Sequence, residues 1–540
     1  MLNSFHRHRR LALAVSACLG ISATAHNAFA DIQFVMNCND DGAGSLRETI
    51  KSAVDGDTID MFTMLQCSSI TLTSGAIKTD HKNLSLLGPG TSKLRITGGD
   101  AYGILSATNT STDTFYLGYF TIANGHGVGP GCVYAQGNLS LRGMVVSGCT
   151  SHGNVGGGLR TGANLTVVNS TIENNSVDAG GGGAAWVGGD LTISGSTVSG
   201  NVVSTSANYA GSIGGGGFHI GGNLHMSDTT VANNSVSASM PLLNVLGGGI
   251  FVRGDASVVH SVISGNSLSS AGTMANGGGI YVGGIAGPTD YAYFHYSSVS
   301  GNSVSSSSTD FDVKANGGGI YAIKPAGTRY STIDHNHARN GAGMFVTQHL
   351  NVFQSTITAN VADFNGGAIY TSYALNTEFL NSTIAQNATN AISNCGGVFF
   401  GNGGTLTTVS NIIAKNTKYN STSSPCDIGV GTNHTVTIAA SSSNNLIQNA
   451  GNTHLPRGTL NGDPQFFQLA NNGGPTQTLG IATTSPARGT GLNLFSWEWD
   501  QRGAGFPRTI GIKLDIGAFE SAGPGDGDTV FRGGFDPFFQ

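Results

Sequence analysis

Charged side chains are scarce in this chain of 540 residues, where Asp, Glu, Lys and Arg make up 10% against about 25% in an ordinary globular protein. Coiled coils and helical bundles, which draw on those residues, are thereby excluded. Proline is scarce too, at 13 residues with no strict glycine period, and collagen falls away. Beyond residue 30 no apolar run approaches the roughly 20 residues that a membrane-crossing helix needs. There is no basic cluster, and the formal balance is 24 − 30 = −6, which argues against nucleic acid as a partner. What is abundant is glycine, with 83 residues; each would cost a helix about 1 kcal/mol relative to Ala. An all-helical fold is ruled out. With 39% of the chain hydrophobic there is enough apolar surface to drive collapse, which excludes a purely disordered chain.

Residues 1–30 read as a signal peptide: Arg7, Arg9 and Arg10 begin it, Leu11 to Ala25 is apolar, and Ala28-Phe29-Ala30 offers a cleavage site. A lipoprotein signal acylated at Cys18 is the competing reading. Cleavage at Ala30 removes three Arg, giving 21 − 30 = −9, and leaves six cysteines, an even number suited to an oxidising compartment. The simplest connectivity pairs neighbours, Cys38 with Cys67, Cys132 with Cys149 and Cys395 with Cys426; buried free thiols are the alternative.

Internal repeats decide the architecture. The phrase Ser/Thr-Thr/Ser-Val/Ile-x-x-Asn ends at Asn175, Asn201, Asn234, Asn266, Asn302, Asn336, Asn360, Asn387 and Asn416, with successive gaps of 24 to 36 residues. A related copy ends at Cys149. Between these lie glycine clusters followed by short alternating stretches, such as Gly247-Gly248-Gly249 before Ile250-Phe251-Val252 and Gly277-Gly278-Gly279 before Ile280-Tyr281-Val282. This period, with several short strands and no helical spacing, predicts an all-β fold: a right-handed parallel β-helix with an N-terminal cap and an atypical C-terminal capping domain. Each coil adds about 4.8 Å along the axis, inward Val, Ile and Leu stack in columns, and the repeated Asn forms a hydrogen-bonded ladder. Insertions fall between the Asn and the next glycine cluster. The expected divisions are a cap over 31–82, repeats over 83–450, a C-terminal domain over 451–520, and a linker and tail over 521–540.

Leu46 and Ile50, in Gly44-Ser45-Leu46-Arg47-Glu48-Thr49-Ile50, lie four apart on one helical face, suited to plugging the open end. With Asp55-Gly56-Asp57-Thr58-Ile59 and Ile70-Thr71-Leu72 this segment resembles the CSLREA domain at the start of exported bacterial β-helix proteins, with Gly44 where that motif has its own Cys. Asp463-Pro464-Gln465-Phe466, Asn471 to Thr476, Ser485-Pro486-Ala487, Asp500-Gln501-Arg502-Gly503 and Asp515 to Glu520 resemble, in order, the choice-of-anchor Q domain of surface proteins. Arg488 and Gly489 stand where that family has an aliphatic residue and Asp. The central phrases are similar to the repeats of polymorphic outer membrane proteins, and Phe531 to Asp536 is similar to C-terminal tails on other exported proteins. These resemblances imply a protein at the cell surface or outer membrane, or released from it.

The function expected is adhesin-like or structural, with a carbohydrate or a host or cell-surface ligand as partner, no cofactor, no metal and a monomeric chain. The alternative, by fold analogy alone, is a lyase or hydrolase acting on acidic polysaccharide. Its candidate residues are Asp334, His335, His337 and Arg339, because alternate residues His335 and His337 would share one strand face, where they could bind a transition metal or move protons. Asp334 and His335 fill the two variable positions of the repeat phrase, so the competing expectation is a solvated edge. Gly125-His126-Gly127 resembles part of the polygalacturonase site but lacks the accompanying acidic phrases.

Overall fold

The computed structural model describes residues 30–521, apart from 65, 128, 154, 206–211, 240–243, 273, 284–290, 309–313, 374–375, 392–393, 420, 422 and 511–512. The signal peptide read over 1–30, Cys18 included, and the linker and tail read over 521–540 lie outside the described residues but for Ala30 and Ser521.

One coil shows the plan of all: Val133–Ala135, Asn138–Arg142, Val145–Ser147 and Thr150–Ser151 follow one another around the axis. Each pairs in parallel with its counterpart in the next coil. Stacking these strands produces a first sheet of 13 strands, a second of 15, a third of 14 and a fourth of 14. The chain is a right-handed parallel β-helix.

Short alternating stretches make the strands because each has one face to bury. In Ile280–Val282 the two aliphatic ends are buried and the central Tyr281 is half-buried, facing outward. The third sheet inverts this, turning its central residue in, so that Val198, Val231, Ile263 and Val299 form one aliphatic column. A second, smaller core of Val177, Val203, Val236, Leu268 and Val304 lies beneath the fourth sheet.

The glycine clusters turn the corner between the fourth and first sheets. Gly247 holds φ at +69°, a Cβ on Gly248 would stand 2.3 Å from the Gly278 carbonyl oxygen, and one on Gly249 would stand 2.8 Å from Cγ of Asn266. Here the coils approach closely and no side chain fits. Insertions leave midway along the fourth side, as between Ser235–Ala238 and Asn244–Leu246. Both flanking strands remain paired with their neighbours, so coil length varies without disturbing the core.

The helix Leu46–Ser52 closes the N-terminal end, with Ser45 as N-cap and Leu46, Thr49 and Ile50 buried. The expected cap boundary needs correction. Ile32–Phe34 already pairs with Thr58–Asp60, and Ser69–Thr71 and Ile77–Thr79 begin the third and first sheets. Coils therefore start well before residue 83; these early ones lack the Asn and glycine phrases.

The C-terminal expectation also changes. Only the first residues of 451–520 cover the end of the solenoid, where Leu460 bridges to Leu446 and Leu455 packs on the core. The rest folds back along the outer face of the third sheet. Thr476 Oγ1 donates to the Tyr330 carbonyl, Gly517 N–H to the Ser410 carbonyl, and Ile481, Ala487 and Ile516 pack on Ile412 and Ala414. The sheet accommodates this brace with small or apolar outward residues: Thr356–Thr358, Thr383–Ala385 and Ile412–Ala414 are buried throughout. The uncovered Thr197–Ser199 keeps its outward residues accessible.

The three cysteine pairs are those of the simplest connectivity, with Cα–Cα separations of 5.6 Å for Cys38–Cys67, 5.6 Å for Cys132–Cys149 and 5.1 Å for Cys395–Cys426. Such bonds fit an oxidising compartment. Peptide mapping without reductant should recover Cys132 joined to Cys149 and no free thiol. Opening that bond is expected to cost about 3 kcal/mol, the loop-closure scale for such a short loop. Six alkylatable thiols in native protein would refute the pairing. No helix among the described residues is long and apolar enough to cross a membrane.

Candidate functional site

The nine repeat asparagines are buried at the corner between the third and fourth sheets, none more than 1% exposed. Each rung is built alike. Asn175 donates from its backbone N–H at 3.0 Å and its Nδ2 at 2.9 Å to Oδ1 of Asn201. Its Nδ2 also reaches the Val146 carbonyl of the preceding coil at 3.1 Å. The pattern repeats to Asn387, which donates to Asn416 at 2.9 Å. Oδ1 accepts from one neighbour while Nδ2 donates both to the next Asn and to a carbonyl of the preceding coil, two donors that a single hydroxyl or an ionised carboxylate does not supply.

The ladder ends on an acid. Asn416 donates from N–H at 3.2 Å and Nδ2 at 2.8 Å to Oδ1 of Asp427, whose Oδ2 accepts from Asn449 N–H at 2.7 Å. Burial pushes the Asp427 carboxyl up to about 7 in spite of these donors. A parallel ladder went unread in the sequence. At the corner between the second and third sheets, the N–H of Ser170 donates to Oγ of Ser196, and Thr229, Ser261, Ser297 and Ser331 carry the pattern onward. The Ser or Thr that opens every repeat phrase but the last, where Asn411 takes the place, was its signal.

The Asp334 to Arg339 cluster is dispersed. Asp334 ends the third-sheet strand Thr332–Asp334 and His337 begins the fourth-sheet strand His337–Asn340. Between them His335 takes φ of +53° and Asn336 turns into the ladder. The expectation that the two histidines share one strand face is therefore incorrect, because the corner interrupts the alternation on which it rested. Asp334, read as solvated, is buried; Ser300 Oγ donates to its Oδ2 at 2.9 Å, and His335 Nδ1 lies 2.6 Å from the same oxygen. His335 projects into solvent. His337 Nε2 pairs with Asp363 at 3.1 Å, a hydrogen bond that raises the ring above the usual histidine range. Arg339 lies over Phe364, 5.3 Å from the ring centre. A His335→Ala, His337→Ala double variant is expected to fold normally and to lose no more than about 3 kcal/mol: the exposed His337 pair is worth little, and His335→Ala leaves the buried Asp334 carboxylate with Ser300 alone. A larger fall in its stability would contradict this placement. His126 of Gly125-His126-Gly127 meets His152, ring centres 4.6 Å apart, and His152 pairs with Asp178 at 2.8 Å. Among the described residues no group of three His, Cys, Asp or Glu is placed to hold a metal ion.

A feature of the first sheet was missed. Its central outward residues, Tyr134, Arg160, Trp186, His219, Phe251, Tyr281, Tyr321, Phe345, Tyr370 and Phe399, are in register coil after coil. Tyr281 and Tyr321 stack with centres 5.2 Å apart and planes 6° from parallel, and Phe345 and Tyr370 at 4.7 Å and 6°. Arg160 sits 5.6 Å from the Tyr134 ring and 5.3 Å from that of Trp186. Burial lowers His219 to about 4, so it is neutral at physiological pH. A recess of about 320 Å³ opens beside the column, lined by Ser212, His219, Leu246, Phe251, Arg253 and Tyr281 among others.

The brace holds a second unforeseen cluster. Arg508 is fully buried, donates from Nη2 to the Asp515 carbonyl at 2.7 Å, and lies among Asp500, Asp515 and Glu520. Arg502 pairs with Asp500 at 2.7 Å and is sandwiched between Phe506 and Phe519. Gln501 reaches into the solenoid, donating from Nε2 to the Ser331 carbonyl and accepting at Oε1 from Thr356 Oγ1.

Fold and ladders define a parallel β-helix. No family model, no curated protein and no solved structure matches the chain.

Proposed function

We propose that this chain is an exported β-helix protein, displayed at the bacterial surface or released from it, that acts as a binding module for a carbohydrate or cell-surface ligand. The observation that carries the reading is the coil-after-coil register of three long parallel sheets, with a fourth that branches where the insertions leave it. It makes a stiff rod whose outward faces and insertions can vary while its ladders hold the core. Three cysteine pairs at bonding distance support an oxidising destination. The signal-peptide pattern supports export, and the phrases resembling the CSLREA and choice-of-anchor Q domains and polymorphic outer membrane protein repeats support a surface location.

Protease treatment of intact cells tests display: solenoid peptides should be released without lysis, or be found in the medium. Recovery only after lysis would overturn the proposal. Incubating the purified mature chain with acidic polysaccharides, with and without Ca²⁺, tests the enzyme alternative. Shortened product chains would replace display with catalysis.

A further inference from the structure

The geometry points to the outer face of the first sheet as a binding track for a linear acidic polysaccharide laid along the solenoid axis. This names the ligand class and the face for the binding module proposed above, and it rests on that reading.

The argument begins with what the aromatic column turns outward. From Phe251 to Phe399 the rings stack along the axis, with planes between 6° and 23° of parallel. Their π faces are therefore spent on one another, and the edges of Phe251, Tyr281, Tyr321, Tyr370 and Phe399 are left partly open to solvent, with Phe345 buried between its neighbours. Ring edges carry the positive side of the aromatic quadrupole. Between them, no other described residue hydrogen-bonds the hydroxyls of Tyr281, Tyr321 or Tyr370. A surface of positive edges and free hydroxyls favours oxygen-rich groups over the apolar face of a sugar, which would need an open π face.

Charge selects further. The chain carries an excess of acids, 30 against 24 bases, yet no strand of the first sheet contains Asp or Glu. Its outward residues include Lys78 and Arg160, and Arg253 follows directly after Val252 at the rim of the 320 Å³ recess. Neither Arg160 nor Arg253 has a carboxylate partner among the described residues, and Nε of Arg160 is buried with no hydrogen bond. A guanidinium held against aromatic rings and lacking a counter-charge is suited to a ligand carboxylate. A repeating uronate polymer supplies carboxylates and hydroxyls at each unit, matching a column that repeats at each coil.

The test uses the mature full-length chain, with binding read by Trp186 fluorescence and by calorimetry. The probes are polygalacturonate and alginate oligomers, with cello-oligosaccharides as the neutral comparison. At least one acidic oligomer is expected to bind, and the neutral one at least about tenfold more weakly. An Arg160→Ala, Arg253→Ala double variant should lose about tenfold or more in affinity, on the scale of a lost charge-assisted contact. Tyr281→Phe, Tyr321→Phe, Tyr370→Phe keeps the stack and should weaken binding without changing the unfolding midpoint. Arg95→Ala with Arg142→Ala, on the third and second sheets, is the control and should bind as wild type. Acidic oligomers that bind the Arg160, Arg253 variant as tightly as wild type would overturn the track while leaving the binding-module reading standing. Absence of binding to every acidic oligomer, with adhesion of the protein to cells intact, would likewise sink the track alone; loss of both would sink the two together.

Discussion

Replacing Asn266 with Ala is expected to lower the stability of the central coils by about 3 kcal/mol or more. Oδ1 of Asn266 accepts from the N–H of Asn234 at 3.0 Å and from its Nδ2 at 3.0 Å. The Nδ2 of Asn266 donates to Asn302 Oδ1 at 2.9 Å and to the Val231 carbonyl at 3.0 Å. All of these groups are buried, so truncation orphans the Asn234 N–H, takes one of three acceptors from Asn234 Nδ2, which keeps the Val198 and Ala232 carbonyls, and weakens the satisfaction of two acceptors. Each unmet buried group costs about 1–3 kcal/mol. Repacking cannot repair the loss, because Gly249 and Gly279 press backbone against this corner and bring no side chain to replace the amide. Asn266→Asp should also destabilise, and more at pH 8 than at pH 5, because the added carboxylate can accept from Asn234 but when ionised can donate to neither Asn302 nor Val231. The matched control is Asn174→Gly: Asn174 is exposed with φ of +54°, a conformation glycine adopts freely, so little should change. Chemical denaturation with amide hydrogen exchange across the coils checks both. An Asn266→Ala protein with an unchanged midpoint and unchanged protection would refute the structural role of the ladder.

Where the sequence could be read, the reason is that one residue type does one job at a fixed place in every coil. The ladder demands an amide at each rung, so Asn recurs in a phrase that survives insertions elsewhere. The aromatic column escaped because its place can be filled by any large or planar group. Arg160, Trp186, His219, Phe251 and Tyr281 share no identity, and only strand register aligns them. The reading of His335 and His337 failed for a geometric reason: alternation holds within a strand, whereas these two straddle a residue with positive φ and a ladder corner. The brace left a trace that composition alone does not decode. Outward Thr, Ala and Ile in Thr356–Thr358, Thr383–Ala385 and Ile412–Ala414 replace the Glu and Ser of Thr171–Glu173 and Thr197–Ser199. A run of small or apolar outward positions on an otherwise polar sheet marks a covered face.

That brace is held by a balance of buried charge, and Arg508→Met is expected to release it. Asp500, Asp515 and Glu520 face Arg502 and Arg508. With every group ionised, three acids would oppose two bases. Burial, with Asp515 and Asp500 beside it, pushes Glu520 up to about 8, which favours its protonated form and eases the crowding of acids. Arg508 acts on these acids through its charge and through its bond to the Asp515 carbonyl, with no ion pair within 4 Å among the described residues; removing it takes away a nearby cation and the donor of that carbonyl, a loss of about 1–3 kcal/mol. The loss falls on 463–521 and not on the coils, whose ladders are untouched. Limited proteolysis should cut within this segment first, and amide exchange should rise at Gly517 and Ala518, whose N–H groups bond Ser410 and Thr383 of the solenoid, while the coils keep their protection. The pH dependence follows from the same group. Glu520 titrates higher folded than its free value of 4.5, so the folded state binds a proton that the unfolded chain has released. Its contribution to stability is whole below that free value and is lost as pH rises through about 8. Glu520→Gln should therefore flatten the stability profile of the brace between pH 5 and 9, a range spanning these two values. Should Arg508→Met leave proteolysis and exchange of the segment as in wild type, the buried arginine would have no part in fastening the C-terminal segment to the solenoid.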